Sequence, residues 1–338
     1  MAGLGHLEAF NQETLLGLVD ESVRSAENTL GDAFLPNRNV YSTNFAYDII
    51  KQSKHIGAMI GYGAEPPVID RDAVAKMHGE IAKMGLKYIA TEEELLALNQ
   101  ARNNGEQSDM VDRLTVKGLD LVQAIQRRIA VAKMEAITKG NFAYNKNGVK
   151  VNIDFGVPAG HKVAQTAPNN WATADHDIIG DLLTWASTYE TSNGRAPQTI
   201  LMSREVFALM AKNQGIIVDA GRPTGALRAS EADVQAVLSD NGLPAITVVR
   251  DRKVTVKDVY TGLDEVIEYM PVNRVVFVSE GLGNFLMGPT VEKNFQPGIF
   301  LDAYDKKEPI QSIFRAVAAG FPAIENPSLL FHADVYTP

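Results

Sequence analysis

The longest regular pattern of apolar and polar positions in the chain runs from Ser108 to Lys139. Ser108 is a good N-cap residue, and Gly140 stands where helices often end in a left-handed residue. The pattern predicts one helix about 45–50 Å long. Its apolar residues recur at spacings of three, four or seven, which places them on one helix face: Leu114, Leu121, Ile125, Ile129, Ala132 and Ala136.

A coiled coil is the alternative interpretation of this helix. The apolar positions do not keep a strict heptad, and Gly118 interrupts the apolar stripe. Coiled coils depend on a sustained repeat of that kind. We therefore expect a single helix that lies across a β-sheet.

The region before the long helix predicts an arm and an extended ribbon. Residues 1–38 have patchy helical spacing and are expected to lie on another part of the fold or on a neighbouring copy. The sequence Gly-Tyr-Gly-Ala-Glu-Pro-Pro at 61–67 is a strong turn signal. The chain from Ala82 alternates like a strand, and we predict that it pairs with the segment before this turn. A two-stranded ribbon is marginal alone, so the ribbon indicates contact with other subunits. Residues 92–104 predict a short helix.

The region after Gly140 alternates between strand and helix patterns. Asn147-Gly148 predicts a hairpin turn, and residues 160–285 predict a small α/β domain. Within it, Thr173 or Asp175 is expected to cap a helix that ends near Tyr189. Further elements are expected as follows: strands at Thr199–Met202, Ala245–Val249 and Arg274–Val278, helices after Ser203 and Ser230, a loop at Gly215–Arg228, and a hairpin from Val254–Tyr260 and Glu265–Tyr269.

The last part of the chain predicts three extended segments, at Gly298–Tyr304, Pro309–Gly320 and Ser328–Tyr336, with a turn at Phe321–Pro327. Together they could form the sheet beneath the long helix. One domain would then be built from distant pieces of sequence, with the α/β domain inserted between them. The predicted fold class is α+β.

Composition narrows the possible functions. The chain has 338 residues, a net charge of −9, 45% hydrophobic and 22% charged residues, and no cysteine. Disulfides, thiolate metal sites and cysteine nucleophiles are therefore excluded. The acidic balance argues against a protein that reads nucleic-acid sequence, since such proteins carry a basic footprint. We expect no membrane span, because no run of about 18 apolar residues occurs, and we find no secretory signal pattern at the N-terminus.

Candidate chemical motifs are weak. Residues Gly281–Leu286 resemble a dinucleotide-binding loop but lack its third glycine, and Pro289 would block the following helix, so a turn is the better interpretation. Asp175-His176-Asp177 could bind a metal ion, although helix capping explains both aspartates. Asp70-Arg71-Asp72 begins like a calcium loop without its glycine. The histidines are scattered: His6, His55, His78, His161, His176 and His332. We predict no catalytic, cofactor-binding or metal-binding residues.

Two other groups of residues are candidates for contacts. Arg127, Arg128 and Lys133 are expected on the solvated side of the long helix, with weak electrostatic contact to nucleic acid as the alternative. The aromatic side chains of Tyr41, Phe45 and Tyr47 could be interface anchors or part of a local core.

The order of these elements resembles the Hong Kong 97 capsid fold of tailed phages. The resemblance extends over about residues 35–335 and is closest to the phage lambda major head protein family. The stretches that carry it are Asn39–Ser42, Glu65–Val68, Gly79–Lys87, Thr91–Leu95, Lys139–Phe142 and Asn326–Leu330. The resemblance implies an N-arm (1–38), an E-loop region (39–91), a P-domain with its spine helix (92–159), an A-domain (160–285) and closing P-domain strands (286–338).

The same resemblance implies a function. The chain would be a non-enzymatic major capsid protein that assembles into pentamers and hexamers of an icosahedral shell around double-stranded DNA. It would assemble in the host cytoplasm and remain in the virion, with only weak contact to the packaged DNA. A separate scaffolding protein is implied because no long N-terminal extension is present, and portal and decoration proteins are further expected partners. The alternatives are a tail tube or baseplate protein and an enzyme with an α/β core.

Overall fold

The structure is a computed structural model, and it describes residues 4, 7–25, 29–42, 44–49, 75–80, 82–100, 104–146, 149–223, 225–258, 261–308 and 310–338. The helices are α1 (Gln12–Ser25), α2 (Leu30–Phe34), α3 (Glu92–Asn99), α4 (Asn104–Lys139), α5 (Ile178–Asn193), α6 (Arg204–Met210), α7 (Gln214–Asp219) and α8 (Glu231–Asp240). The strands are β1 (Asn37–Asn39), β2 (Asn44–Ile49), β3 (Ala75–Glu80), β4 (Ala82–Ala90), β5 (Asn141–Lys146), β6 (Val149–Asp154), β7 (Lys162–Ala164), β8 (Thr199–Ser203), β9 (Ile246–Val249), β10 (Lys253–Lys257), β11 (Asp264–Glu268), β12 (Arg274–Val278), β13 (Gly283–Thr290), β14 (Gln296–Pro297), β15 (Phe300–Lys306), β16 (Gln311–Ile324) and β17 (Leu330–Asp334).

The chain divides into two compact units. The first consists of residues 1–46, 78–133 and 284–323, and the second consists of 47–77, 134–283 and 324–338. Helix α4 and strands β13 and β16 contribute residues to both units. Each unit is therefore assembled from distant pieces of sequence.

The sheet of the first unit is organised around β16. The strand order is β1-β13-β16-β15, and β4 also pairs with β16. Strand β16 is antiparallel to both β15 and β4. Nearly all its side chains are buried, as expected for a strand covered on both faces. The predicted turn at Phe321–Pro327 is wrong at its start, because Phe321 and Ala323 are buried and continue this strand to Ile324.

Helix α4 lies on this sheet, as predicted. Leu114, Ile125 and Ile129 from the predicted apolar face are buried. A Cβ atom added to Gly118 would lie 3.5 Å from Leu301 Cδ2 and 3.6 Å from Phe314 Cδ1, so the helix contacts both β15 and β16 there. The helix begins at Asn104 instead of Ser108. It ends as predicted before Gly140, which has a φ of 68°.

The predicted helical arm packs on the sheet of its own unit. Phe10, Leu15 and Val19 are buried. The Phe10 ring meets the ring of Phe314 edge to face, with 5.3 Å between centroids. Gln12 Nε2 donates a hydrogen bond of 3.3 Å to the backbone oxygen of Leu301. The aromatic contact of Phe10 with β16 and the hydrogen bond from α1 to β15 thus attach the arm to the sheet.

The predicted ribbon has a different second strand. Strand β2 pairs with β3, whereas β4 pairs with β16 over residues 82–90. The prediction that the chain from Ala82 completes the ribbon is therefore wrong. Side chains in β4 alternate between exposed and half-buried, so alternation identified the strand but did not specify its partner. The turn at 61–67 and Asp70-Arg71-Asp72 lie outside the described residues.

The sheet of the second unit has the order β7-β17-β12-β8-β9. Strand β17 pairs antiparallel with β12 and parallel with β7. The prediction that Ser328–Tyr336 belongs to the sheet beneath the long helix is therefore wrong. Leu330, Phe331, His332 and Ala333 are all buried, and a strand buried on both faces needs an interior position in a covered sheet.

Other local predictions in this unit have mixed outcomes. The hairpins β5–β6 and β10–β11 are confirmed, and Ser203 and Ser230 cap α6 and α8. Asp177, and neither Thr173 nor Asp175, caps α5 by accepting a hydrogen bond from the backbone N–H of Gly180. The predicted loop at Gly215–Arg228 is wrong at its start, because Asn213 caps α7 there. Its side-chain oxygen accepts from the backbone of Ile216.

Candidate assembly surfaces

The N-terminal arm is fastened to the long helix by an ion pair that the sequence did not reveal. Lys133 is completely buried, and its Nζ atom donates to Asp32 Oδ1. It lies 5.4 Å from the centroid of the Phe285 ring. A Cβ atom on Gly31 would lie only 2.9 Å from Lys133 Cβ, so this close approach requires glycine. The prediction that Lys133 lies on the solvated side of the helix is wrong.

Asp32 has two roles in this contact. It is the third residue of α2 and accepts hydrogen bonds from the backbone N and Oγ1 of Thr29, at 2.7 and 2.6 Å. Burial raises the pKa of the Asp32 carboxyl, but the contacts with Lys133 and Thr29 outweigh it and hold that pKa below its usual value. Burial lowers the pKa of Lys133, against the opposing effect of Asp32. The carboxylate therefore both caps α2 and neutralises a buried cation.

A second buried contact closes the C-terminal end of α4 in the second unit. His332 Nε2 donates to the backbone oxygen of Ile137 at 2.8 Å. Burial lowers the pKa of His332 to about 4. Arg274 Nη1 donates to the oxygen of Thr138 at 3.1 Å, so helix carbonyls without intrahelical partners are satisfied by side chains.

Asp181 organises the loop before α5. Its Oδ2 atom accepts from Gln165 Nε2 at 2.7 Å, from Trp171 Nε1 at 2.9 Å and from His176 Nε2 at 2.6 Å. Asp175, His176 and Asp177 line a pocket of about 430 Å³ beside it. The His176 side chain is thus used in positioning this loop. Within the described parts of the chain, no three His, Asp or Glu side chains are arranged to hold a metal ion.

Large apolar side chains are exposed at several places. In the turn between β13 and β14, Val291 is 69% and Phe295 is 68% exposed. Both Asn294 and Phe295 have left-handed backbones, with φ values of 53° and 61°. Lys83 Nζ from strand β4 donates to Glu292 Oε1 in this turn at 2.6 Å and holds the pKa of Glu292 below its usual value. This turn presents a fixed apolar tip, and such exposed residues are candidates for contacts with other molecules.

The second unit has exposed apolar residues of its own. They are Val218 and Leu227 in and after α7, and Leu263 and Val266 in the β10–β11 hairpin. Of the contact candidates predicted from the sequence, Tyr41 is 72% exposed, whereas the side chains of Phe45 and Tyr47 lie outside the described residues. Arg127 is exposed, as predicted.

The turn that resembled a dinucleotide loop leads into a strand. Gly281 has a φ of 82°, and the chain then continues as β13, which includes Pro289. The backbone nitrogens of Glu325 and Asn326 both donate to the oxygen of Leu282. No helix among the described residues has the length and apolar character needed to cross a membrane.

The chain matches the sequence model of a known family, phage major capsid protein E, over residues 14–335. The chain belongs to this family. The structural function predicted from the sequence, that of a major capsid protein in the phage head, is confirmed, and the tail tube or baseplate alternative is not favoured. No curated protein sequence matches the chain.

Solved structures agree with the capsid family at the level of the fold. A protein assigned as a prophage capsid protein of Escherichia coli CFT073 has a TM-score of 0.64 at 13% identity, with 96% of this chain and 99% of that chain covered. A phage-related protein of Bordetella bronchiseptica RB50 has a TM-score of 0.58 at 13% identity, covering 94% and 96%. The mature capsid chain of bacteriophage PhiM1 has a TM-score of 0.51 at 10% identity, covering 92% and 88%. The predicted Hong Kong 97-like α+β capsid fold is confirmed.

Proposed function

We propose that this capsid protein assembles into pentamers and hexamers that close an icosahedral shell around double-stranded phage DNA. The match to the capsid family over residues 14–335 carries this proposal. The net charge of −9 supports a shell whose contact with DNA is weak, because DNA binding needs cationic side chains opposite the phosphates.

The described parts of the structure support an assignment of segments to this function. Residues 1–38 serve as the N-arm, 39–91 as the E-loop region and 92–159 as the P-domain with its spine helix α4. Residues 160–285 form the A-domain, and 286–338 close the P-domain, except that β17 joins the sheet that contains β8 and β12. The ribbon β2–β3 is the base of the E-loop and has no further strand partner among the described residues. We propose that a neighbouring copy covers it.

The proposed function involves no catalysis. Assembly takes place in the host cytoplasm, with a scaffolding protein, a portal protein and, in some shells, a decoration protein as partners. Shell geometry then depends on contacts between copies, and no reaction needs to occur in a pocket. The buried Lys133–Asp32 ion pair supports a role of the arm in holding one rigid protomer shape.

Deletion of residues Ile60–Val68 tests the assembly proposal. The wild-type chain should sediment as closed shells with its phage partners, and negative-stain microscopy should show icosahedral particles. The deletion variant should fold, because the buried contacts described above involve none of the deleted residues, but it should not close shells. Size-exclusion chromatography distinguishes the alternatives: small discrete oligomers or tubes of the wild-type chain, or normal shells of the deletion variant, would contradict the proposal.

A further inference from the structure

Strands β10 and β11 form a hairpin whose two strands carry opposite charge. Lys253 and Lys257 lie exposed on β10, and Asp264 and Glu268 lie exposed on β11. The register places Lys253 opposite Glu268 and Lys257 opposite Asp264. Residues at alternate positions share one face of a sheet, so this face has a basic row along one strand and an acidic row along the other.

The hairpin is attached to its unit at the base, where the Glu268 carboxylate also forms an ion pair with Arg252, and is open elsewhere. At the base, Thr138 Oγ1 donates to the oxygen of Tyr269, and Lys139 Nζ donates to the oxygen of Glu268 at 2.6 Å. In the described part of the chain, β10 and β11 pair only with each other. Leu263 is 70% and Val266 is 56% exposed.

Open strand edges of this kind are sites at which another chain can pair. A two-stranded hairpin has little stability of its own. The exposed apolar residues add surface that a partner would remove from water. The hairpin therefore has the properties of a contact surface, and its charges indicate which partner fits.

We propose that this hairpin is a lateral contact between copies of this chain, with the basic strand β10 of one copy beside the acidic strand β11 of the next. The inference rests on the proposed shell function. Two β10 edges would bring lysine against lysine, and two β11 edges would bring carboxylate against carboxylate, so a symmetric pair is disfavoured. A head-to-tail contact satisfies both edges, and contacts of that type close into rings when the rotation between copies allows.

The charge pattern argues against packaged DNA as the partner of this surface. Lys253 and Lys257 would attract phosphate groups, but Asp264 and Glu268 lie directly across the hairpin from them and would repel the same groups. A second copy of the chain offers both charges in the required order. The pattern also gives the ring a direction, because each copy contributes one edge of each sign.

Two charge-reversal variants test the contact. Lys253→Glu/Lys257→Glu makes both strands acidic, and Asp264→Lys/Glu268→Lys makes both basic. Each variant should remain a folded protomer by circular dichroism and thermal melting, because the substituted side chains are exposed. Glu268→Lys also removes the ion pair with Arg252, but a partly exposed pair of this kind contributes little to stability. Shell yield on sucrose gradients should fall by about tenfold or more in each, since every contact then joins two edges of like charge. Normal shell yield from either variant would overturn the inference.

Two recombinations of these changes provide a sharper result. The chain with all four substitutions exchanges the sign of the two edges and should assemble again. An equimolar mixture of the two double variants should form rings in which the variants alternate, so rings with an even number of copies form and five-membered rings do not. Failure of both recombinations to recover rings would show that the hairpin does not mediate the contact.

The matched control for Lys253→Glu/Lys257→Glu is Arg204→Glu/Lys212→Glu, which lowers the net charge by the same amount at exposed positions of the same unit. The control should assemble like the wild type. If it loses as many shells as Lys253→Glu/Lys257→Glu, the defect is due to net charge and the inference is overturned. Absence of shells from the wild-type chain would overturn the proposed function and this contact with it. Wild-type shells together with normal shells from both double variants would overturn the contact alone.

Discussion

Two buried titratable residues, His332 and Lys133, affect the stability of the fold through their charge. His332 is neutral in the fold because burial lowers its pKa to about 4, whereas an unfolded histidine has a pKa of about 6.5. The unfolded chain therefore binds a proton that the folded chain does not, and stability falls as the pH decreases from about 6.5 toward 4. The full contribution of the neutral His332 side chain to stability is present at pH values above the pKa of histidine in the unfolded chain.

We predict that His332→Gln reduces this acid sensitivity. The amide of glutamine can still donate to the oxygen of Ile137, but it does not titrate. Between pH 7 and pH 5, His332 alone should account for about 2 kcal/mol of the stability lost by the wild type. Urea unfolding at both pH values measures this difference. Comparison with the variant is needed because burial also lowers the pKa of His161. Equal pH dependence in both chains would contradict the assignment.

The Lys133–Asp32 ion pair predicts that substitutions of these two residues have non-additive effects on the free energy of unfolding. Asp32→Ala leaves Lys133 buried without its partner and removes the capping carboxylate of α2, and it should cost about 3 kcal/mol. Lys133→Met keeps the apolar stem and should cost less. The double variant Asp32→Ala/Lys133→Met should be more stable than Asp32→Ala alone, because no buried charge remains unpaired. Simple additivity of the two single losses in urea unfolding would show that the residues do not interact.

At the scale of elements, local sequence rules succeeded where a structure depends on neighbours in sequence. Ser203 and Ser230 begin helices and Gly140 ends one, as predicted, because capping depends on a few adjacent groups.

The partners of the strands were the main feature that could not be predicted from the sequence. The alternation in β4 and the apolar run in β17 were recognised as strands, but their partners β16 and β12 depend on which sheet can cover each buried face. The Lys133–Asp32 ion pair joins residues about 100 positions apart, and no local pattern marks it.

Helix α4 allows a stabilising substitution at the glycine that interrupts its apolar stripe. A methyl group on Gly118 would meet Leu301 and Phe314 at ordinary contact distances of 3.5 and 3.6 Å. Alanine also has the higher helix propensity, so Gly118→Ala should stabilise the protein by about 0.5–1 kcal/mol in thermal or urea unfolding. Gly140→Ala is the matched control. It should destabilise, because Gly140 has a φ of 68° and an added Cβ would lie 2.8 Å from Val157 Cγ2.

At the scale of the whole molecule, the family could be predicted from the order of elements and from short matching stretches. The division into units could be predicted only in outline. The structure divides into two units that are each built from discontinuous segments, and the insertion of an α/β domain at 160–285 stays a prediction. The position of β17 did not follow, since its residues come last in the chain but pair with β12. A strand at the end of a chain can pair with a strand of any sheet within its reach, so its position in the sequence does not identify its partner.

A role in shells also predicts that a substitution in the turn between β13 and β14 can impair shell assembly without lowering the stability of the isolated protomer. Phe295 has a left-handed backbone and an exposed ring, and a left-handed conformation costs a non-glycine residue about 1 kcal/mol or more. Phe295→Gly should therefore leave the protomer at least as stable in urea unfolding. It should lower the yield of shells, because the apolar tip is lost.

Asn294→Gly is the control for this prediction. It relaxes a neighbouring left-handed residue, with a φ of 53°, but removes no apolar side chain. Its shell yield on sucrose gradients should equal that of the wild type. If Phe295→Gly and Asn294→Gly assemble equally well, the exposed ring has no role between copies. If only Phe295→Gly loses shells while both variants keep their stability, the strained turn is retained for contact with neighbouring copies at a cost to the isolated protomer.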